Sequence, residues 1–141
     1  MDHIAIVTPH CLDAILDGRK TVESRLSRNR RAPFRAVGVG DCVWFKERGG
    51  GIGASARVAR VLFAEGLSPS GVARLRRDFG AAIVAEPGYW QGKRLARYAT
   101  LIWLDEVRAT ERGPRLIRTP GDRSAWFTLQ GAEQPAAKAL A

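Results

Sequence analysis

The sequence predicts a single α+β domain in which a small, closed or nearly closed β-sheet carries two or more short helices at its ends. The chain has 141 residues, 45 % of them apolar, which suffices for one domain with a hydrophobic core. Its patterns follow the order strand, helix, three strands, helix, two strands. A mostly-β order with inserted helices is typical of a barrel-like sheet whose ends the helices cover.

The first half of the chain contains four predicted strands and one amphipathic helix. Residues 3–8 are an apolar run, HIAIVT, that favours a strand. A helix is predicted over 9–17 because apolar residues recur at helical spacing and Gly18 follows as a left-handed terminator. A second strand is predicted over 21–26 and a basic loop over 27–40. The strands VGDCVWFKE and SARVARVLFAE then form a hairpin joined by GGGIGAS.

The second half begins with a helix at Ser68 and Pro69, which suit its N-cap and first turn. A short helical turn is expected within EPGYWQGKRLARY, followed by the long strand YATLIWLDEVRAT and the closing strand SAWFTL. The domain is predicted to span 1–130. The tail over 131–141, GAEQPAAKALA, is predicted to be mobile.

The charge balance indicates a polyanionic partner. There are 23 basic and 14 acidic residues, and 19 of the basic residues are arginine. A GC-rich genome explains arginine over lysine, but it explains the net excess of +9 less well. Because a positive field attracts polyanions, we expect RNA or a nucleotide-like ligand as partner.

Membrane, metal and cofactor functions are not indicated. No apolar run is long enough to cross a bilayer, and the acidic N-terminus, soon broken by a proline, does not resemble a signal peptide. We therefore expect a cytoplasmic protein with no membrane partner. Cys11 and Cys42 lack metal-ligand spacing, so both are interpreted as small apolar side chains, and no metal or cofactor is predicted. The sequence does not indicate an oligomeric state.

The stretch GRKTVESR, residues 18–25, is the main candidate site. Because side chains alternate along a strand, Thr21, Glu23 and Arg25 share one face, and Lys20 reaches them from the preceding turn. A charge-assisted hydrogen bond between Glu23 and Arg25 would organise such a site. The same residues could equally form a solvated surface ion pair that contributes little.

These residues resemble the G-x-K-x-x-E-x-R pattern of the ASCH (activating signal cointegrator homology) family, with Gly18, Lys20, Glu23 and Arg25 at the defined positions. Together with VGD at 39–41 and ARV at 56–58, the resemblance covers about the first 60 residues. It implies a PUA-like mixed β-barrel whose cleft binds RNA or a modified nucleobase or nucleoside. Lys20, Glu23 and Arg25 would then line that cleft, with Gly18 in the turn beside it.

The resemblance leaves two functions open. Some bacterial members look like amidohydrolases of acylated cytidine, with a catalytic lysine and a threonine three residues later, but Glu23 stands at that position here. Ribonuclease activity has also been attributed to similar proteins. The first interpretation is an RNA- or nucleotide-binding domain. The second is a hydrolase with Glu23 as general base, Lys20 as electrostatic stabiliser and Thr21 as an alternative nucleophile. The first is favoured because no complete nucleophile–base arrangement is visible.

Two further groups extend the candidate site. Tyr89 and Trp90 precede Lys93 and Arg94, and an aromatic pair beside cations can stack a base and hold its phosphate, although Trp90 could instead cap the barrel. The loop with Arg28, Arg30 and Arg31 would extend a phosphate track, or be a solvated face. Trp126, after a lone arginine, is a weaker candidate of the same kind, while Trp44 and Trp103 are assigned to the core.

Overall fold

The computed structural model describes residues 1–130, and the predicted mobile tail at 131–141 lies outside the described residues. This part of the chain forms six strands and three helices. In chain order they are β1 (Asp2–Val7), α1 (Pro9–Leu16), β2 (Val22–Ser27), β3 (Cys42–Glu47), β4 (Ile52–Glu65), α2 (Pro69–Ile83), α3 (Tyr89–Gly92), β5 (Tyr98–Ala109) and β6 (Trp126–Leu129).

The strands form one sheet in the order β2-β5-β4-β3-β1-β6. The β1–β3 pair is parallel and the other pairs are antiparallel. The two longest strands, β4 and β5, change register between Ser55 and Arg57 and again between Val58 and Arg60. Such irregularities bend a strand pair and increase its twist. The sheet therefore curls into a half-barrel with β2 and β6 as its edges, which confirms the predicted α+β class and mixed strand pairing.

The helices begin and end at the residues that the sequence indicates. Thr8 caps α1 by accepting a hydrogen bond from the Cys11 N–H at 3.2 Å, and Gly18 follows with φ of 84°. Ser68 caps α2 by accepting from the Gly71 N–H at 3.2 Å. These hydrogen bonds satisfy amides that a helix N-terminus leaves without partners.

Two apolar clusters stabilise the half-barrel. The first lies between α1 and strands β1, β3 and β4, and includes Ile15 and Phe45. The second lies between α2 and strands β2 and β5, and includes Ile83 and Leu101. These four side chains are at most 1 % exposed. The edge strand β2 thus belongs to one cluster, whereas β1 and Trp126 of β6 belong to the other, and the candidate site lies where the two meet.

Candidate functional site

A cavity of about 590 Å³ opens between the ends of β1 and α1, strand β2, the ends of α2 and α3, and the start of β6. Its charged lining comprises six basic side chains, Lys20, Arg25, Arg28, Arg31, Arg48 and Lys93. Two acidic side chains, Glu23 and Glu86, also line it. The predicted motif residues Lys20, Glu23 and Arg25 are therefore brought together in one concave site with a net positive lining.

These three residues form a buried charged triad centred on Glu23. The Lys20 Nζ lies 3.4 Å from Glu23 Oε1, and the Arg25 Nη2 lies 3.1 Å from Glu23 Oε2. The backbone N–H of Ser24 also donates to Glu23 Oε1 at 2.9 Å. The Lys20 and Glu23 side chains are only 5 % and 6 % exposed, so the motif is not a solvated face of the strand.

Lys20 connects the triad to α2. Its Nζ donates to the carbonyl oxygen of Ile83 at 2.6 Å. Ile83 is the last residue of α2, where unpaired carbonyls and the helix dipole favour a cation. The ammonium group is therefore held between Glu23 and the C-terminal end of a helix.

Arg25 connects the triad to the opposite edge of the sheet. Its Nη1 donates to the carbonyl of Ala125 and its Nη2 to the carbonyl of Ile6, both at 3.1 Å. The guanidinium also lies over the Trp126 ring, 5.5 Å from the centroid. Ile6 lies in β1 and Ala125 precedes β6, so Arg25 bridges the gap between β2 and the β1–β6 pair, which we name the seam.

The protonation state of Glu23 follows from these contacts. Burial alone would raise the pKa of its carboxyl group, but the nearby Arg25 and Lys20 charges and the Ser24 hydrogen bond outweigh burial and lower the pKa. Glu23 is therefore an anion at neutral pH with both oxygens engaged. Such a carboxylate orients Lys20 and Arg25 well, but it is a weak proton acceptor.

The α3 side of the cavity is also polar. The Tyr89 hydroxyl lies 2.7 Å from the Ser24 hydroxyl, and burial raises the tyrosine pKa to about 12. The Lys93 Nζ donates to the carbonyl of Leu26 at 3.0 Å, and its partial burial lowers its pKa. Both side chains thus contact the edge strand β2 and narrow the cavity from the side of α3.

Trp126 forms part of the opposite wall and is held by a buried histidine. Its Nε1–H donates to His3 Nδ1 at 3.3 Å, which is also 3.0 Å from the Thr128 hydroxyl. The other ring nitrogen of His3 lies 2.8 Å from Asp41 Oδ2. With Nδ1 accepting from the indole, His3 donates from Nε2 to Asp41, and the orientation of the Trp126 ring is fixed.

The rim of the cavity carries cations of a different kind. Arg28, Arg31 and Arg48 line it and are exposed. Within residues 1–130 none of these three rim arginines has an acidic partner. Their charge is therefore available to a ligand, in contrast to the charges of Lys20 and Arg25.

Five predicted site residues lie outside the cavity lining, namely Gly18, Thr21, Arg30, Trp90 and Arg94. Thr21 is exposed, Arg30 lies 4.0 Å from Glu65, and Trp90 packs against the second apolar cluster. Arg94 is exposed and donates to the carbonyl of Gln91. The sequence reasoning missed Thr8, Cys11, Arg48 and Glu86, which do line the cavity. Trp126, the weaker candidate, lines it as well.

Cys11 lines the cavity without nucleophilic character. Burial raises the pKa of its thiol to about 12, with a further contribution from the nearby Glu23 carboxylate. The thiol is therefore protonated at neutral pH.

Over the part of the chain that the structure describes, no group of three or more His, Cys, Asp or Glu side chains could hold a metal ion. No helix in residues 1–130 has the length and apolarity required to cross a membrane.

Comparison with known proteins places this geometry in a structural class. No family model matches the chain, and no curated protein matches it. Among solved structures, the ASCH protein from Zymomonas mobilis superposes with a TM-score of 0.70 at 16% identity, over 99% of this chain and 94% of the other. A serine-to-alanine variant of that protein superposes with a TM-score of 0.70 at 17% identity, over 99% of this chain and 95% of the other. A protein from Pseudomonas putida superposes with a TM-score of 0.53 at 16% identity, over 99% of this chain and 98% of the other.

The half-barrel and its structural likenesses define an α+β domain. More specifically, the chain has the ASCH-family fold, as the GxKxxExR resemblance implied.

Proposed function

We propose that this chain is an RNA- or nucleotide-binding domain and that the cavity at the seam holds its ligand. The observation that carries the proposal is the set of three rim arginines, unpaired within residues 1–130, around a cavity of about 590 Å³. Cavities of roughly 300–1,000 Å³ typically bind small organic ligands, and unpaired arginines at the mouth favour phosphate groups.

The cavity divides its charges between two tasks. Lys20 and Arg25 share the Glu23 carboxylate and donate to backbone carbonyls, so the three residues shape the site. The rim arginines are free to contact phosphates, which position a nucleic acid without reading its sequence. A base would then enter the cavity, whose walls include Tyr89 and Trp126.

The hydrolase alternative receives less support. Glu23 has a lowered pKa and no free oxygen, so it is a poor general base. Thr21 is exposed and outside the cavity lining, so its hydroxyl is not beside the triad's charges. These two observations favour binding over catalysis by the residues that the motif suggested.

Salt-dependent binding tests the proposal. Affinity for a single-stranded RNA is measured by fluorescence anisotropy over a range of salt concentrations. Each phosphate contact contributes about 0.7 to the slope of log K against log salt for single strands. The double variant Arg28→Ala/Arg31→Ala should therefore bind more weakly and lower the slope by roughly 0.7 for each arginine that contacts a phosphate.

The matched control is Arg74→Ala/Arg76→Ala, which removes the same charge from an exposed face of α2 outside the cavity lining. It should leave the slope nearly unchanged. Equal slopes for the wild-type protein and the rim variant, or equal losses in both variants, would contradict the assignment of phosphates to this rim.

A further inference from the structure

The cavity lining contains a second carboxylate, Glu86, which is not part of the charged triad. It follows α2 and immediately precedes the α3 region, where its carbonyl accepts from the Tyr89 N–H at 3.0 Å. The side chain is half-buried, and its Oε1 accepts a hydrogen bond from the Thr8 hydroxyl at 2.7 Å. Its charge also contributes to the raised pKa of the Cys11 thiol, which lines the same cavity.

In the part of the chain that the structure describes, this carboxylate lies outside any ion pair. The Glu86 side chain forms no ion pair with any basic group in residues 1–130, although the same cavity contains six basic side chains. The thiol of Cys11 is protonated, and Thr8 uses its hydroxyl proton on Oε1. Among residues 1–130, Glu86 Oε2 has no hydrogen-bond partner, and Glu86 lines the cavity, so this oxygen can accept hydrogen bonds from a ligand.

An unneutralised carboxylate opposes a phosphate-bearing ligand unless the ligand presents hydrogen-bond donors to it. A carboxylate accepts two parallel hydrogen bonds when two donors are adjacent on a planar group. Guanine presents such a pair, N1–H and the N2 amino group, on its Watson–Crick edge. In adenine and cytosine the amino donor adjoins a ring-nitrogen acceptor, and in uracil the N3–H lies between two carbonyl oxygens, which a carboxylate repels.

We propose that the cavity selects guanine, with the Glu86 carboxylate accepting hydrogen bonds from N1–H and the N2 amino group. Thr8 is the positioning residue, because its hydroxyl fixes the rotation of the carboxylate. This inference rests on the proposed function. It adds selectivity for a base to the phosphate contacts of the rim arginines.

Affinity for short oligouridines with a single central guanosine, adenosine, cytidine or uridine tests the inference in the full-length protein. A bidentate side-chain–base pair discriminates by roughly 10- to 100-fold, so the guanosine oligonucleotide should bind tighter by that factor. Replacing the central guanosine by inosine, which lacks the N2 amino group, should remove part of the preference. 1-Methylguanosine, which lacks N1–H, should remove most of it.

Glu86→Gln should abolish the preference for guanosine while leaving RNA affinity measurable, because glutamine supplies a single acceptor oxygen. Thr8 can still donate to that oxygen, so the fold should persist, and an unchanged melting temperature verifies it. The control is Glu111→Gln, an exposed position outside this cavity, which should keep the preference.

The two proposals fail differently. Equal affinity for all four central bases, or a guanosine preference that survives Glu86→Gln, would overturn guanine selection while RNA binding stands. Absence of binding to any of the oligonucleotides would overturn the proposed function together with the inference.

Discussion

Glu23 shows how one carboxylate can organise a site without acting on a ligand. It lies between the ammonium of Lys20 and the guanidinium of Arg25, and both cations also donate to backbone carbonyls. Buried ions are tolerated when they are paired and their remaining hydrogen-bonding groups are satisfied. In residues 1–130 no buried side-chain nitrogen or oxygen lacks a hydrogen-bond partner. Each member of the triad therefore depends on the other two.

The stability of a Glu23→Gln variant measures this dependence. Removing the negative charge leaves the two buried cations without a counter-charge, which typically costs about 3–5 kcal/mol. We expect the free energy of unfolding at neutral pH, measured by chemical denaturation, to fall by about 3 kcal/mol. Glu111→Gln, at an exposed position, should change it by less than about 0.5 kcal/mol. Equal stabilities of both variants would show that the triad contributes little.

The pH dependence of that difference has a defined sign. The pKa of Glu23 in the folded protein is lowered from its ordinary value of 4.5, so the carboxylate stabilises the fold above that value. This contribution is lost as the pH falls through the folded-state pKa. The difference in unfolding free energy between wild type and Glu23→Gln should be constant from about pH 7 to 5 and should shrink at lower pH. A difference that grows in acid would contradict the lowered pKa.

At the scale of elements, α2 matters because its last carbonyl anchors Lys20. The helix is 15 residues long, and the Ser68 side chain accepts one of the amides at its start. Val84, the residue after Ile83, has a left-handed conformation with φ of 50°, which ends the helix and leaves the Ile83 carbonyl to accept from Lys20. The cap at one end of α2 and the site at its other end are thus connected by one rigid element.

Loss of the N-cap should weaken α2 without touching the cavity. Ser68→Ala removes the acceptor for the Gly71 N–H and should lower the free energy of unfolding by about 1 kcal/mol. Ser70→Ala removes a neighbouring hydroxyl that caps no amide and should have a smaller effect in the same denaturation measurement. If both substitutions cost the same, Ser68 is not the energetically important cap.

The elements were predictable because local chemistry determines their ends. The predicted helix 9–17 is observed as Pro9–Leu16, and the predicted strand 21–26 as Val22–Ser27. Prolines, capping hydroxyls and Gly18 act over a few residues and leave a clear pattern in the sequence. Trp103, assigned to the core, is half-buried and packs against the second apolar cluster. Trp44, assigned likewise, is half-buried outside both clusters, while Trp126 is 6 % exposed. Apolar neighbours along a strand do not reveal which face another element covers.

At the scale of the molecule, the motif predicted which side chains meet but not what they contact. Lys20, Glu23 and Arg25 are close in sequence, so alternation along a strand brings them together. Their other partners are the carbonyls of Ile83, Ile6 and Ala125, up to 100 residues away. A backbone carbonyl has no sequence signature. Glu86 was missed for a related reason: it belongs to no motif, and the ends of α2 and α3 place it in the cavity.

The seam gives a prediction for the whole fold. Arg25→Lys keeps the charge but removes the planar guanidinium, which contacts Glu23, Ile6 and Ala125 at the same time. The single ammonium group of lysine cannot span these three partners. Hydrogen bonds from charged groups contribute about 1.5–3 kcal/mol each, so the variant should lose at least about 1.5 kcal/mol of unfolding free energy in chemical denaturation. The matched control is Arg60→Lys. Arg60 is an exposed residue of β4, and its guanidinium lies over the Trp103 ring. Full stability of Arg25→Lys would show that the seam does not depend on the guanidinium.

Arg25 also determines how the two halves of the protein can move apart. The contacts that Arg25 forms across the seam are hydrogen bonds and one ring contact. Loss of these contacts would open the seam locally, at a smaller cost in free energy than global unfolding. Amide hydrogen exchange of β2 would report this local opening of the seam. A ligand that contacts both edges would suppress it, and binding would then be visible as slower exchange without any change in the average structure.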